Sequence, residues 1–140
     1  MILLDTNVVS ELMRPIPNEQ VQQWVSRQVI DTLFLSAITL AEIYFGLMVL
    51  PDGQKKQSLY DAFDRLILPV FSGRILPFDA QIAMSYAEIR AHARQKGFAI
   101  ATADGYIAAI AKFHKLTVAT RDVSPFEYAG LSVINPWDMV

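Results

Sequence analysis

The side chains available for chemistry in this chain are mostly carboxylates. It carries 14 Asp and Glu, two histidines (His92 and His114) and no cysteine. Thiol catalysis, thiolate metal sites and disulfides are thereby removed, and a His-rich zinc site is out of reach. Five acids stand at the ends of short apolar runs or in the helix turns that follow them. Asp5 follows Ile2-Leu3-Leu4, Asp79 follows Ile75–Phe78, and Asp122 closes Thr120-Arg121-Asp122 after Thr117–Ala119. Glu42 and Asp104 fall in the first turns of expected helices. Carboxylates gathered at one edge repel and raise one another's pKa values unless a cation neutralises them. A donor set made only of oxygen suits Mg²⁺ or Mn²⁺ rather than zinc. The chemistry such a set performs is metal-assisted phosphoryl transfer.

Each acid also has an ordinary structural reading. Asp5 can cap the next helix. Thr39-x-x-Glu42 matches a capping box, with Thr39 as N-cap and Glu42 at N3. Asp104 suits the positive end of a helix, and Asp122, before Ser124-Pro125, suits a turn. Asp79 fits an N-cap with no motif around it and is read as structural. What favours function for Asp5, Glu42, Asp104 and Asp122 is the coincidence of four acids on four separate elements at one expected edge.

The elements that must position them alternate between strand and helix. Strands are expected at Ile2–Leu4, Leu33–Ala37, Ile75–Phe78, Thr117–Ala119 and Leu131–Ile134. A short helix near Val8–Met13 is stopped by Pro15 and Pro17, and Asn18 caps the next, whose stripe is Val21, Trp24, Val25 and Gln28. Further helices are expected from Thr39 to about Leu50, near Gln54–Leu68, from Asp79 to Lys96-Gly97 and over Thr102–Lys115. Gly97 stands at the C′ position, and a helical turn is expected at Pro125–Ala129. Apolar strands separated by helices imply an α/β fold, a three-layer α/β/α sandwich with a mainly parallel sheet. Ligands in such sheets bind beyond the carboxyl ends of the strands, where these acids lie.

At 140 residues the chain fits one domain, 1–140. Hydrophobic residues make up 53% and charged residues 19%, with a mean hydropathy of +0.29. Disorder is excluded. The apolar surplus points to surface covered by a partner or a second copy. Charged residues interrupt every long apolar run, so no membrane span is expected. The first residues lack a signal-peptide pattern, and the expected location is the cytoplasm. Net charge is −2, but unevenly spread. Residues 1–54 hold two bases against six acids, residues 55–121 ten against five, and the remainder three acids and no base. A basic middle segment can hold phosphates or be an ordinary solvated face. The charge map alone nominates Arg74, Arg90, Arg94, Lys112 and Arg121 as phosphate contacts.

Five blocks carry a family resemblance: Met1-Ile2-Leu3-Leu4-Asp5-Thr6-Asn7, Leu35-Ser36-Ala37-Ile38-Thr39-Leu40-Ala41-Glu42, Ala103-Asp104-Gly105-Tyr106-Ile107-Ala108-Ala109, Val118-Ala119-Thr120-Arg121-Asp122 and Asn135-Pro136-Trp137. In this order and spacing the chain resembles PIN-domain ribonucleases, in particular the FitB-like group of VapC-type toxins from toxin–antitoxin pairs. The family's acids fall on Asp5, Glu42, Asp104 and Asp122, without departure. The resemblance implies an endoribonuclease dependent on Mg²⁺ or Mn²⁺. Asp5, Asp104 and Asp122 would ligate the metal, and Glu42 would be a ligand or orient water. Thr6, Asn7 and Thr120 would hold the carboxylates or waters in place. It also implies an RNA substrate, a homodimer, and a cognate antitoxin that inhibits the enzyme and binds operator DNA. The alternative is a non-catalytic module acting only within a DNA-bound repressor complex. A dehalogenase-like phosphotransferase normally needs a second acid where this chain has Asn7. A receiver domain needs a lysine near the last strand, and none follows Lys115.

Overall fold

The computed structural model describes residues 1–138, so the expected domain boundary at 140 lies outside the described residues. Five short strands form one parallel sheet: β1 (Ile2–Leu4), β2 (Leu33–Ser36), β3 (Ile75–Leu76), β4 (Thr117–Ala119) and β5 (Val133–Ile134). Their order is β3-β2-β1-β4-β5. β1 is central, with Leu3 opposite Phe34 of β2 on one side and Val118 of β4 on the other. The chain therefore winds outward from β1 in one direction and later in the other. The crevice between β1 and β4 is the switch point where doubly wound sheets place their ligands.

Alternate residues of each strand feed two separate cores. Leu3 and Val118 pack with α5 (Ala80–Gln95), α6 (Thr102–Phe113) and α7 (Ser124–Tyr128) through Ile82, Ile89, Ile107, Ile110 and Phe126. Leu4 and Ala119 face the other way, onto α1 (Thr6–Met13), α2 (Glu19–Ser26), α3 (Ala37–Met48) and α4 (Gln54–Asp61). Val8, Val9, Trp24, Ile43 and Leu47 fill that second core. The result is the expected three-layer α/β/α sandwich, with a sheet that is parallel throughout.

Several boundaries differ from expectation for identifiable reasons. β3 stops at Leu76 because Pro77 has no N–H to continue the ladder. β2 stops at Ser36, whose hydroxyl accepts from the Thr39 N–H at 3.0 Å and caps α3. The helix expected over Gln54–Leu68 is α-helical only to Asp61. It widens into a π-helical segment over Ala62–Ile67 and tightens to a 3₁₀ turn over Leu68–Phe71. Pro69 cannot donate to a preceding carbonyl, and its ring excludes a regular turn before it. The C-terminus of α5 is as the sequence indicates. Gly97 adopts φ 86°, its N–H bonds to the Arg94 carbonyl at 3.0 Å, and the Phe98 N–H reaches the Ala93 carbonyl at 2.9 Å. Among the described residues, no helix is long and apolar enough to cross a membrane.

Two glycine substitutions should move stability in opposite directions. Gly97→Ala forces a side chain into the left-handed region and should cost about 1–2 kcal/mol. Gly46 lies inside α3 with nothing within 4 Å of an added methyl, so Gly46→Ala should gain about 0.5–1 kcal/mol. Urea melts of both variants measure the pair.

Candidate functional site

Beyond the carboxyl ends of β1 and β4 lies a cleft of about 550 Å³. Asp5, Glu42, Asp104 and Asp122 all line it, with Thr6, Asn7, Ser10, Glu11, Arg14, Arg121 and Trp137. The convergence read from four separate elements is therefore present. Asp5 leaves β1 with its N–H on the Ala119 carbonyl at 2.9 Å. It is also the N-cap of α1: one carboxylate oxygen accepts from the Thr6 N–H at 2.8 Å. The other accepts from the Thr120 hydroxyl at 2.8 Å. For Asp5 the capping role and the site role coincide.

Thr120 is fully buried and links three elements. Its oxygen accepts from the Asn7 side-chain amide at 3.2 Å and from the Asp122 N–H at 3.0 Å. The Asn7 carbonyl oxygen accepts from the Arg121 N–H at 3.2 Å. Asn7 and Thr120 thus clip the loop after β4 onto the first turn of α1, which presents Asp122 to the cleft that Asp5 lines. Thr6 does the same for α3. Its hydroxyl donates to Glu42 Oε1 at 2.7 Å and lies 3.1 Å from the Thr39 hydroxyl oxygen. The capping-box reading of Thr39 and Glu42 is corrected here. Ser36 is the cap, Thr39 occupies N3, and Glu42 lies nearly a full turn further on, with its carboxylate on Thr6.

Asp104 depends on a close helix contact that the sequence does not announce. A Cβ at Gly105 would stand 2.9 Å from Tyr86 Cε2 and 3.2 Å from Arg90 Cδ. The missing side chain lets α6 pack directly on α5 behind Asp104. Tyr106, the next residue, stacks on Tyr86 at 4.5 Å.

None of the four carboxylates has a cation within ion-pair distance among the described residues. Burial is the main cause that raises Asp5, to a pKa of about 6, and the Asp104 and Glu42 charges add to it against the Thr120 and Thr6 hydrogen bonds. Asp104 is raised by burial and then by Asp122 and Glu42. The acids therefore share one field. Among the described residues, no three of them are drawn together into a ready metal cage. Glu42 and Asp122 are exposed, and Asp5 is held by two donors. An all-oxygen set with excess negative charge fits a hard divalent cation in its chemistry. Asp5, Asp104, Asp122 and Glu42 are the residues that could hold one.

The phosphate contacts nominated by charge scatter. Only Arg121 lines the acid cleft, with its guanidinium 5.2 Å over the Trp137 ring. Arg90 and Arg94 line a neighbouring cleft of about 730 Å³, where Arg90 donates to the Tyr86 hydroxyl at 2.7 Å. Lys112 lies in another, with Glu88 and His92. Arg74 is placed elsewhere altogether. Its Nε donates to the Leu33 carbonyl at 3.0 Å, another N–H serves the Val70 carbonyl, and Asp31 stands 3.6 Å away. Asp79 caps α5 through the Gln81 N–H, as read. Glu11, Arg14 and Trp137 were not singled out for the cleft. The Glu11–Arg14 spacing of three on one helix was the available signal.

Comparison with known proteins gives a consistent picture. A model described as PIN domain matches residues 2–131. Toxin FitB from Neisseria gonorrhoeae is 53% identical over 137 residues, covering 98% of this chain and 99% of that protein. VapC ribonuclease Y4jK from Sinorhizobium fredii is 50% identical, covering 99% of both. Among solved structures, FitAB bound to an IR36 DNA fragment superposes with a TM-score of 0.94 at 51% identity, over 100% of this chain and 98% of that one.

The raised Asp5 pKa sets a pH dependence. Because the folded pKa of about 6 exceeds the ordinary 3.8, protonated Asp5 favours the fold, and that stability is lost as pH rises through about 6. Asp5→Asn removes the penalty. Without metal at pH 8 the variant should be more stable by about 1–2 kcal/mol, the penalty of about 3 less a weakened Thr120 hydrogen bond. The gap should close below about pH 4. Thermal melts across that range in EDTA read both ends.

Proposed function

The chain belongs to the PIN-domain family, with FitB and VapC proteins as its relatives, and from this we propose that it is a metal-dependent endoribonuclease. The observation that carries the reading is the cleft at the β1–β4 switch point, where four carboxylates without ion-pair partners stand together. Mg²⁺ or Mn²⁺ bound there would stabilise charge developing on the phosphate and activate water for attack on it. Asp5, Asp104 and Asp122 would hold the cation, and Glu42 would either join them or orient the water. Thr120 keeps Asp5 oriented, Thr6 keeps Glu42 oriented, and Asn7 holds the Asp122 loop in place. No histidine lines the cleft, so proton movement is assigned to water and carboxylates.

We further propose that the enzyme is the toxin of a toxin–antitoxin pair. A second cleft, mostly apolar and about 490 Å³, runs between α1, α3 and α4 over Met13, Ile43, Leu47, Leu50 and Leu59. It shares Arg14 and Glu42 with the acid cleft. An apolar segment of an antitoxin laid there would cover the acids, which suits inhibition. Operator DNA would then be bound through that partner, as the related FitAB and Rickettsia felis VapBC2 structures, each bound to a DNA fragment, suggest. The intact acid set disfavours a purely architectural role.

Purified, partner-free protein should cleave single-stranded RNA with added Mg²⁺ or Mn²⁺ and lose that activity in EDTA. Metal at about 100 times its dissociation constant should stabilise the fold by about 2.7 kcal/mol. Glu42→Gln should fold normally yet lose most cleavage. Ser36→Ala should lose about 1 kcal/mol of stability and keep cleavage in the folded fraction. Full activity in Glu42→Gln would show that three aspartates suffice.

Self-association is expected as well. Phe45 and Met48 on the last turn of α3 and its C-cap Val49 are 68%, 71% and 62% exposed, an arrangement that a second copy would cover. Sedimentation at tens of micromolar should show a dimer, and only 15.7 kDa species would contradict it.

A further inference from the structure

Glu11 has no part in the chemistry proposed above, yet it is a carboxylate with only 7% of its side chain exposed. It lines the cleft that already holds four acids. Burying a fifth negative charge there is unfavourable twice over, through desolvation and through repulsion. Its local duties do not explain the charge. Glu11 Oε2 accepts from the Asn18 N–H at 3.0 Å, which closes the α1–α2 connection. A neutral glutamine would accept that bond equally well. What needs the charge is Arg14, whose Nη1 lies 3.4 and 3.3 Å from the two Glu11 oxygens.

Arg14 is 64% exposed and sits at the carboxyl end of α1, where a cation is also favoured by the helix dipole. Only its Nη1 has a protein acceptor among the described residues, which leaves Nη2 and Nε free to donate. Arg14 and Arg121 are the two cations that line the acid cleft. Both guanidiniums are held rather than free, one by a buried carboxylate and the other over the Trp137 ring. They come from different elements: Arg121 from the loop after β4, next to Asp122 in sequence, and Arg14 from the C-cap of the eight-residue α1 that Asp5 caps at its other end.

We propose that Arg14, anchored by Glu11, is a phosphate-binding residue that holds the RNA backbone next to the scissile phosphate. The inference rests on the endoribonuclease reading and adds to it a second fixed cation along the strand. An anionic substrate entering a cleft with five carboxylates needs positive charge beyond the metal, and a pre-oriented guanidinium supplies it with little ordering cost. Glu11 is then a positioning residue, acting through Arg14.

The test uses the full chain, Ca²⁺ in place of the catalytic metal, and a short fluorescein-labelled single-stranded RNA of mixed sequence. Anisotropy titrations between roughly 50 and 200 mM salt give the affinity and its salt slope. Arg14→Ala should weaken binding about tenfold at low salt and make the slope shallower by about 0.7, one phosphate contact on a single strand. Arg14→Lys should keep the slope and lose part of the affinity. Glu11→Gln should keep the slope too, with a smaller loss, because the cation remains but is no longer anchored. In cleavage assays with Mg²⁺, Arg14→Ala should raise KM far more than it lowers kcat, and the Mn²⁺-induced rise in Tm should be unchanged. An Arg14→Ala protein with wild-type slope and affinity overturns the proposal, whatever its Tm, while wild-type cleavage leaves the nuclease reading standing. Wild-type protein that neither binds nor cleaves RNA overturns both.

Discussion

Repulsion among carboxylates is the constraint around which this molecule is arranged. Four acids line one cleft with no cation paired to them among the described residues, and the charges of Glu42, Asp104 and Asp122 make ionisation of their neighbours less favourable. The fold answers by fixing the most buried of them most firmly. Asp5 accepts from the Thr6 N–H and the Thr120 hydroxyl, so its oxygens are partnered even where burial raises its pKa to about 6. The outer acids are left movable, with Glu42 restrained by Thr6 and Asp122 presented by its loop. On the metal-dependent reading, a pinned inner carboxylate and more exposed outer ones would let a cation complete the site without the acids being forced together in its absence.

That arrangement follows from the sheet. β1 is central and carries Asp5 at its carboxyl end. β4 pairs beside it in register, Leu4 opposite Ala119, which brings Thr120 within reach of Asp5. A shift of one residue between these strands would swap Leu3 with Leu4, or Val118 with Ala119, between the two cores. The hydrophobic pattern that fixes the register therefore also fixes the hydrogen bond holding the first carboxylate. Stability and site geometry are set here by the same few apolar side chains.

How far this was legible in the sequence varied with the range of the interaction. Strands at Ile2–Leu4 and Thr117–Ala119 were readable because short runs rich in apolar and β-branched residues that end at a polar residue leave few alternatives. Gly97 marked the end of α5, since its left-handed conformation is a local property of the chain. The four acids were readable because carboxylates at strand ends are costly unless used. Tertiary contacts were not. Ser36 rather than Thr39 caps α3, and nothing local separates two hydroxyl candidates three residues apart once the strand claims a different last residue. The Gly105 contact with Tyr86 joins helices whose packing no short window contains. Charge was the poorest guide. Arg74 belongs to the nominated basic segment, yet it spends its donors on the backbone carbonyls of Leu33 and Val70.

The same contrast explains why net charge says little about what this protein binds. A chain at −2 would be expected to avoid polyanions, and its acid cleft strengthens that expectation. Yet Coulomb interactions across a cleft decay over about 8–10 Å at physiological salt, so a polyanion responds to the charges along its path and not to the total. Along that path the carboxylates lie inside the cleft, where a cation would convert them from a repulsive to an attractive feature. Arg14 and Arg121 lie on its walls with their guanidiniums held in place. On the proposed reading, the acids would exclude a phosphate without a cation and admit it with one bound, so that substrate binding would be coupled to metal binding through electrostatics.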